Sequence, residues 1–401
     1  MMHADRVAAL SAGQLRVLVL NSRLDGGGID SHTLSLCRAL RLQDCVVSLA
    51  APARARWIDA AQAMPGIQVL ALDAGRAVWP LVLSRYVREQ RIDVIHAHHG
   101  RDYWVAIAAW MLSGRTASVV VTRHLMTQLK ERTRRYLAAF SNVIAVSDAV
   151  QESLRRVDPE RALRLRRIYC GIDTERFRRI AMRGYRVREA LGLPQDAWVY
   201  AMIGGAQRPD GKGQFYFVNA AAQVRARHPH AHFLCVGEGD LIPQLRQEAK
   251  ALGLAGHIHF LPFEHDVASL LQAIDVLVHP AVGSEALGLV ILEALSCGKP
   301  VIATALDGIP ETFLDGAHGV LVPPRNAHAL AQAMCQLAAD PGRAARMGWR
   351  GRGWVEVNFS LASLGRETVQ LYRDCVMAAR HRDRARITQS GQAAQAASER
   401  T

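Results

Sequence analysis

The stretch Gly283-Ser284-Glu285-Ala286-Leu287-Gly288-Leu289-Val290-Ile291-Leu292-Glu293-Ala294-Leu295-Ser296-Cys297-Gly298-Lys299-Pro300 reads as a loop, a short helix and a stop. Gly298 suits the left-handed position that follows a helix, and Pro300 blocks its continuation. The apolar run Val301 to Thr304 then opens a strand, so the segment is one turn of a helix-covered parallel sheet. With the helix starting near Leu287, the amides of Ala286, Leu287, Gly288 and Leu289 point outward and, with the helix dipole, make a place for a diphosphate. Glu285 sits in the loop and Glu293 in the helix, eight residues on, a span of at most about 12 Å at the helical rise. That span suits the two ends of a sugar nucleotide, because carboxylates accept hydrogen bonds from vicinal hydroxyls while the amides between them serve the phosphates. Taken alone, the pair equally fits two solvated glutamates beside an ordinary α/β turn.

Working outward, short strand-like runs alternate with helical stretches: Val17 to Leu20, Val46 to Leu49, Ile67 to Leu70, Val94 to His96, Val119 to Thr122 and Val143 to Val146. The charged segment Arg176 to Asp196, with Gly184 and Pro194, breaks the rhythm. It resumes at Val199 to Ile203, Phe233 to Val236, Ile258 to Phe260, Val276 to His279 and Val301 to Thr304. The fold class expected is α/β with two Rossmann-like, doubly wound domains. The boundaries are a first domain over 1–180, a linker over 181–195, a second domain over 196–360, a helix over 361–379 crossing back to the first domain, and a disordered tail over 380–401. The apolar stripe Leu361, Leu364, Val369, Leu371 and Tyr372 marks that crossing helix, whereas Gln, Ala, Ser and Arg dominate after it.

The chain has 401 residues and a formal charge of +13. The excess lies in the first half: residues 1–195 carry 30 Lys or Arg against 17 Asp or Glu, and residues 196–401 carry 19 against 19. Such asymmetry points to an anionic partner, whether phosphorylated substrate, nucleic acid or an acidic membrane leaflet. The basic residues lack the interleaved aromatic platform that single strands prefer, so nucleic acid is not expected. Arg123, Lys130, Arg132, Arg134 and Arg135, interspersed with Leu125, Met126, Leu129, Tyr136, Leu137 and Phe140, form a basic amphipathic stretch suited to an anionic membrane interface. Arg155, Arg156, Arg161, Arg164, Arg166 and Arg167 add a second cluster. Met1 to Asp5 has no basic stretch followed by an apolar run, and no uncharged apolar segment reaches the roughly 18 residues that span a bilayer. A cytoplasmic protein, with peripheral contact to the inner face of the membrane, is expected. The seven cysteines stand singly, as reduced packing residues do.

The spacing and flanks of Glu285 and Glu293 closely resemble the Glu-x7-Glu motif of the retaining glycosyltransferase family 4, whose members have the GT-B fold. Asp307-Gly308-Ile309-Pro310-Glu311, the stretch Asp315 to Pro324, and Val236-Gly237-Glu238-Gly239 resemble the family's neighbouring segments, so the likeness covers roughly residues 15 to 340. It implies two Rossmann-like domains facing a central cleft, with Glu285 on the donor sugar and Glu293 on the ribose. Family members offer an Arg and a Lys after the first strand of the second domain. Lys212 matches the lysine, whereas the arginine's register falls on Ala206 or Gln207 and the longer loop makes Arg208 its displaced substitute. Gly27 and Gly28 resemble the first-domain loop over the donor phosphates, and His124 the histidine beside the reacting carbon. Phe263 and Glu264 lie where the loop Pro262 to Asp266 approaches the base. His96, His98 and His99 resemble a common family segment and read as structural or cleft-lining, without a carboxylate partner for a metal.

The resemblance implies transfer of a hexose-type sugar, with retention, from a UDP-, GDP- or ADP-sugar to a glycan or lipid-linked acceptor of the bacterial envelope, polysaccharide or lipopolysaccharide. No residue stands out as a covalent nucleophile and no Asp-x-Asp sits at a strand end, so a metal-independent reaction without cofactor is expected, active in a chelator. Two other readings stay open: a sugar-nucleotide epimerase of similar shape, which needs no acceptor, and a non-catalytic sugar-nucleotide or membrane-binding module.

Overall fold

The computed structural model describes residues 13–398. The start Met1 to Asp5, which bears on a signal sequence, and residues 399–401 lie outside the described residues. Thirteen strands form two all-parallel sheets. The first contains β1 (Arg16–Leu20), β2 (Val46–Pro52), β3 (Ile67–Leu72), β4 (Val94–Ala97), β5 (Ser118–Arg123), β6 (Asn142–Ala145) and β7 (Arg164–Arg167), in the order β3-β2-β1-β4-β5-β6-β7. The second contains β8 (Trp198–Ile203), β9 (Ala231–Val236), β10 (Ile258–Leu261), β11 (Val276–His279), β12 (Val301–Thr304) and β13 (Gly319–Val322), in the order β10-β9-β8-β11-β12-β13. Central strands are buried along their whole length because helices cover both faces; every residue of β4 and of β5 is buried, polar residues included.

Strand order reverses between β1 and β4 in one sheet and between β8 and β11 in the other. Ligands of open α/β sheets collect at the carboxyl ends beside that reversal. The loops leaving β1, β4, β5, β8 and β11 are therefore the places to look for a site.

The helices are α1 (Gly28–Arg41), α2 (Ile58–Gln62), α3 (Trp79–Glu89), α4 (Asp102–Leu112), α5 (Glu131–Phe140), α6 (Asp148–Arg156), α7 (Ala181–Ala190), α8 (Gln214–Arg225), α9 (Ile242–Ala251), α10 (Val267–Ala273), α11 (Leu289–Ser296), α12 (Ala327–Ala339), α13 (Pro341–Asn358) and α14 (Leu361–Ser398). Two compact units result. Among the described residues one takes the chain up to Val146, then Gln151–Gly171 and the helix from Leu361, and the other takes Ser147–Val150 and Ile172–Ser360. Leu361, Leu364, Val369, Leu371 and Tyr372 are buried in the first unit's core against α1 residues such as Leu36 and Leu40. Gly365 makes this helix crossing possible, because a Cβ there would stand 2.6 Å from the Ala39 carbonyl oxygen.

The structure departs from the sequence reading at several places. Residues 181–190 of the expected linker are the helix α7, packed on α10 within the second unit. Gly184 is no breaker there: a Cβ would lie 2.6 Å from the Gln272 carbonyl oxygen, so glycine permits close helix contact. β7 is an edge strand made of Arg-Leu-Arg-Arg, whose polarity hides it, and β13 is four residues that begin with a glycine. α1 begins at Gly28, so this glycine of the expected phosphate loop already opens the helix. α14 continues to Ser398 through the segment expected to be disordered; its Ala, Gln and Arg are good helix formers that need no packing to favour that state.

Candidate active site

In the second unit, β8 delivers the loop Gly204 to Gly213 and β11 delivers the loop Pro280 to Gly288. They meet closely: a Cβ on Gly213, which caps α8 with φ of +88°, would lie 1.8 Å from the Pro280 carbonyl oxygen. Across this contact Lys212 Nζ donates to Glu285 Oε2 at 2.8 Å, and His279 Nε2 lies 3.3 Å from the same oxygen. The Glu285 backbone is held as well, its amide donating to Asp307 Oδ2 at 3.1 Å and its carbonyl accepting from the Gly308 amide at 3.1 Å. Burial pushes the Glu285 carboxyl up, but the His279 hydrogen bond and charge, with the Lys212 ammonium, outweigh it and hold the group at about 2. The carboxylate is an anion at any physiological pH.

Glu293 is different. It lies on α11, partly enclosed, and burial pushes its carboxyl up to about 7, opposed by the charge of Arg176. No hydrogen bond or ion pair satisfies it among the described residues, which is how an acceptor for ligand hydroxyls would stand. α11 starts at Leu289, two residues later than expected, because Gly288 with φ of +86° forms the N-cap. The outward amides are thus those of Leu289 and Val290, as helix geometry requires, whereas Leu287 is buried and the Ala286 carbonyl packs on Gly308.

Arg208 does not join the Lys212–Glu285 pair. Its Nε lies 3.3 Å from Asp240 Oδ2, with the side chain 61% exposed, and its amide donates to Asp240 Oδ1 at 2.9 Å. A cation that sequence reasoning missed stands nearby: Arg325 donates to Asp210 Oδ2 at 3.2 Å and to the Val282 carbonyl at 3.3 Å, tying the two loops. Its only signal was a position just after the last strand of the sheet. In the sequence His279 likewise shows only as the end of a strand. Phe263 and Glu264 follow β10 at the same sheet edge; Phe263 packs edge-on to His265, and Glu264 Oε1 accepts from the Asp266 amide at 2.7 Å.

In the first unit, Gly26 and Gly27 take φ of +117° and +101°, and Gly28 opens α1. Asp30 fixes this loop. Its Oδ2 accepts from the Asp25 and Gly26 amides at 3.0 Å each, and its Oδ1 accepts from Asn21 Nδ2 at 2.8 Å and lies 3.1 Å from His99 Nε2. Burial raises the Asp30 carboxyl, but the His99 and Asn21 hydrogen bonds outweigh it and leave it lowered. An acid in the first turn of a helix was the available signal.

His124, at the end of β5, has Nε2 3.2 Å from His98 Nδ1, and its ring lies 4.9 Å from that of His32. One ligand nitrogen from each of His32, His98 and His124 falls within 4.8 Å of the others. Burial lowers all three rings, His32 to about 4 and the other two well below their ordinary value, so each is a neutral imidazole. Three neutral imidazoles are a donor set that a divalent transition metal can use, and they come from three separate segments, which is why spacing did not reveal them. Beneath them His96 bridges Tyr372 Oη at 2.6 Å and Thr122 Oγ1 at 2.7 Å.

The basic amphipathic stretch is only partly available to a partner. Arg123 turns inward to the carbonyl and hydroxyl of Thr127. Arg134 is buried in a 2.8 Å pair with Asp158 and a second 2.8 Å pair with Glu131. Lys130, Arg132 and Arg135 are the exposed cations. Among the described residues no helix is long and apolar enough to cross a membrane.

Comparison with known proteins follows the two sheets. Residues 26–176 match the model "Glycosyltransferase Family 4" and residues 199–340 the model "Glycosyl transferases group 1". A GDP-mannose-dependent alpha-(1-6)-phosphatidylinositol monomannoside mannosyltransferase of Mycolicibacterium smegmatis is 34% identical over 209 residues, 50% of this chain and 54% of that one, so the match spans about half of each. The phosphatidyl-myo-inositol mannosyltransferase of the same organism is 29% identical over 78% of this chain and 82% of its own. The structure of Anabaena Alr3699/HepE in complex with UDP-glucose shares the fold, with a TM-score of 0.78 and 21% identity over 90% of this chain and 100% of that one. Two parallel Rossmann-like sheets, each matched in order by its own family model, place the chain in the GT-B fold; it belongs to the group 1 glycosyltransferases of family 4.

Proposed function

We propose that this glycosyltransferase moves a hexose-type sugar, with retention, from a nucleoside diphosphate donor to a lipid-linked or glycan acceptor of the bacterial envelope. The observation that carries the reading is the Lys212–Glu285–His279 cluster, at the carboxyl ends of β8 and β11, with the unsatisfied Glu293 on the following helix. Glu285, permanently anionic, accepts from hydroxyls of the donor sugar; Glu293 accepts from the ribose; Lys212 and the amides of Leu289 and Val290 face the diphosphate. As the bond between the anomeric carbon and the phosphate oxygen breaks, negative charge grows on the leaving diphosphate, and a fixed cation and helix dipole are worth most at that moment. The acceptor oxygen attacks from the same face, and its proton passes to the leaving phosphate oxygen. Phe263 and Glu264 approach the base, and Gly27, Gly28 and His124 of the first unit are given the donor-phosphate and reacting-carbon roles that the family resemblance implies. Arg208 contributes little while it is held by Asp240. Charge balance at the diphosphate rests on Lys212, so transfer proceeds in a chelator.

The relatives named for GDP-mannose and phosphatidylinositol support a GDP-sugar and a phospholipid-borne acceptor as the first pair to try. Thermal-shift measurements with UDP-, GDP- and ADP-sugars select the donor, and proton NMR of the product formed on a lipid acceptor reads the anomeric configuration. Retention is expected. Inversion contradicts the same-face course, and conversion of the sugar nucleotide without acceptor makes the chain an epimerase instead.

A further inference from the structure

A pocket of about 730 Å³ opens in the first unit between α4 and α5, lined by Tyr103, Trp104, Arg132, Arg135, Tyr136 and Phe140 among others. Its walls are aromatic and its charges basic. Arg132 is exposed and, among the described residues, joined to no acid, whereas Arg135 is exposed and shares Glu131 with the buried Arg134. Glu131 is therefore already neutralised by two guanidinium groups, and the pocket keeps a net positive charge.

The surface beside the pocket is apolar. Trp104, Met111 and Leu112, at i, i+7 and i+8 on α4, are 43%, 38% and 48% exposed, and that spacing puts them on one face of the helix. α3 continues the face: Arg88 Nη1 donates to the Leu112 carbonyl at 2.8 Å, and Leu81, Arg85 and Arg88 share the spacing of one helical side. Leu81 is 59% exposed, and Arg85 is paired at 2.6 Å with Glu89, which is half exposed itself. Exposed apolar side chains contiguous with guanidinium groups have the chemistry of a surface that meets acyl chains and phosphates together.

We infer that the α3–α4–α5 face of the first unit rests on an anionic phospholipid bilayer, with the phosphate of one lipid headgroup held in the Arg132–Arg135 pocket and Trp104 at the level of the headgroups. The occupant is a phosphate ester carried by a lipid, because a soluble phosphate would have no use for the exposed stripe of Trp104, Met111 and Leu112. This deepens the proposed function by locating a lipid-borne acceptor at the first unit, and it rests on that reading only for its purpose, since binding needs no donor and no turnover.

The test is co-sedimentation of the full chain with vesicles of phosphatidylcholine alone and with 30% phosphatidylglycerol, at low salt and at high salt. Binding to the anionic vesicles, lost at high salt and much weaker on the neutral ones, is expected. The double variant Arg132→Ala, Arg135→Ala should partition about thirty-fold more weakly, and Trp104→Ser about ten-fold, as loss of two surface charges or one interfacial aromatic predicts. No binding to anionic vesicles at low salt, equal binding to both compositions, or unchanged partition of both variants would overturn the proposal. A thermal shift with glycerol phosphate in the absence of vesicle binding would also overturn it, in favour of a soluble phosphate ester. Nucleotide affinity measured on the same samples reports on Lys212 and Glu293 alone, so failure of the membrane surface and failure of the transferase reading give different results.

Discussion

The two units carry their polar clusters in opposite electrostatic states. In the second unit an ammonium and a carboxylate stand 2.8 Å apart at a loop junction, with the carboxyl held at about 2. In the first unit His32, His96, His98 and His124 are packed together as rings that burial keeps neutral. A charged cluster can answer the charge that develops on a leaving diphosphate, whereas a neutral one can shape and hydrogen-bond an uncharged hydroxyl without competing for the anion. Under the proposed function, the difference suits the donor to the second unit's sheet edge and an acceptor hydroxyl to the first unit's.

Lys212→Ala should break this division most severely. Removing the ammonium bonded to Glu285 is expected to lower transfer by about 10²- to 10³-fold, as loss of a transition-state charge donor does. Steady-state rates with saturating acceptor measure it. A loss below about threefold would mean that Arg208 or Arg325 does the work instead. Glu293→Ala should come next, weakening nucleotide binding about ten-fold or more with the loss of a charge-assisted hydrogen bond to the ribose. Titration of a nucleoside diphosphate checks this, and an unchanged affinity removes Glu293 from the donor site.

Glu293 also sharpens the comparison through pH. Its folded-state value of about 7 lies above the ordinary 4.5, so between those pH values the folded chain keeps a proton that the unfolded chain releases. Stability therefore falls as pH rises through that window and levels off above it. Glu293→Gln should remove the fall and raise stability at pH 8 by about 1–2 kcal/mol, a figure reduced from the full shift because the group is only partly enclosed. Denaturant midpoints of both chains at pH 5 and pH 8 give the answer; parallel changes in the two would show that Glu293 is not the group responsible. Arg208→Ala should matter least, changing transfer by less than about threefold because an exposed pair with Asp240 contributes little.

The same contrast explains what could be read from the chain without coordinates. Both sheets were legible because parallel strands covered on two sides are continuous apolar runs, and β7 escaped only because an edge strand made of arginines is not. Glu285, Glu293 and Lys212 were legible because their spacing lies within single loop-helix units. His279 stands six residues before Glu285 in the same strand-loop unit but carries no signal beyond ending a strand, and Arg325 was not legible because its proximity to Asp210 is a product of sheet order. The His32–His98–His124 group and the Asp30 hub draw on segments far apart in the chain, His99 and Asp30 being 69 residues apart, which no local pattern connects. Gly184 and Gly288 show the remaining limit: a glycine marks a turn, a cap or a close helix contact, and only packing says which.

Calorimetric titration of GDP and UDP into the full chain and into Lys212→Ala addresses the central claim most directly. The Lys212–Glu285–Glu293 arrangement predicts one site per chain for at least one of the two nucleotides, with affinity about ten-fold weaker in the variant. Binding of neither nucleotide, or equal affinity in both proteins, would contradict a sugar-nucleotide site on the second unit.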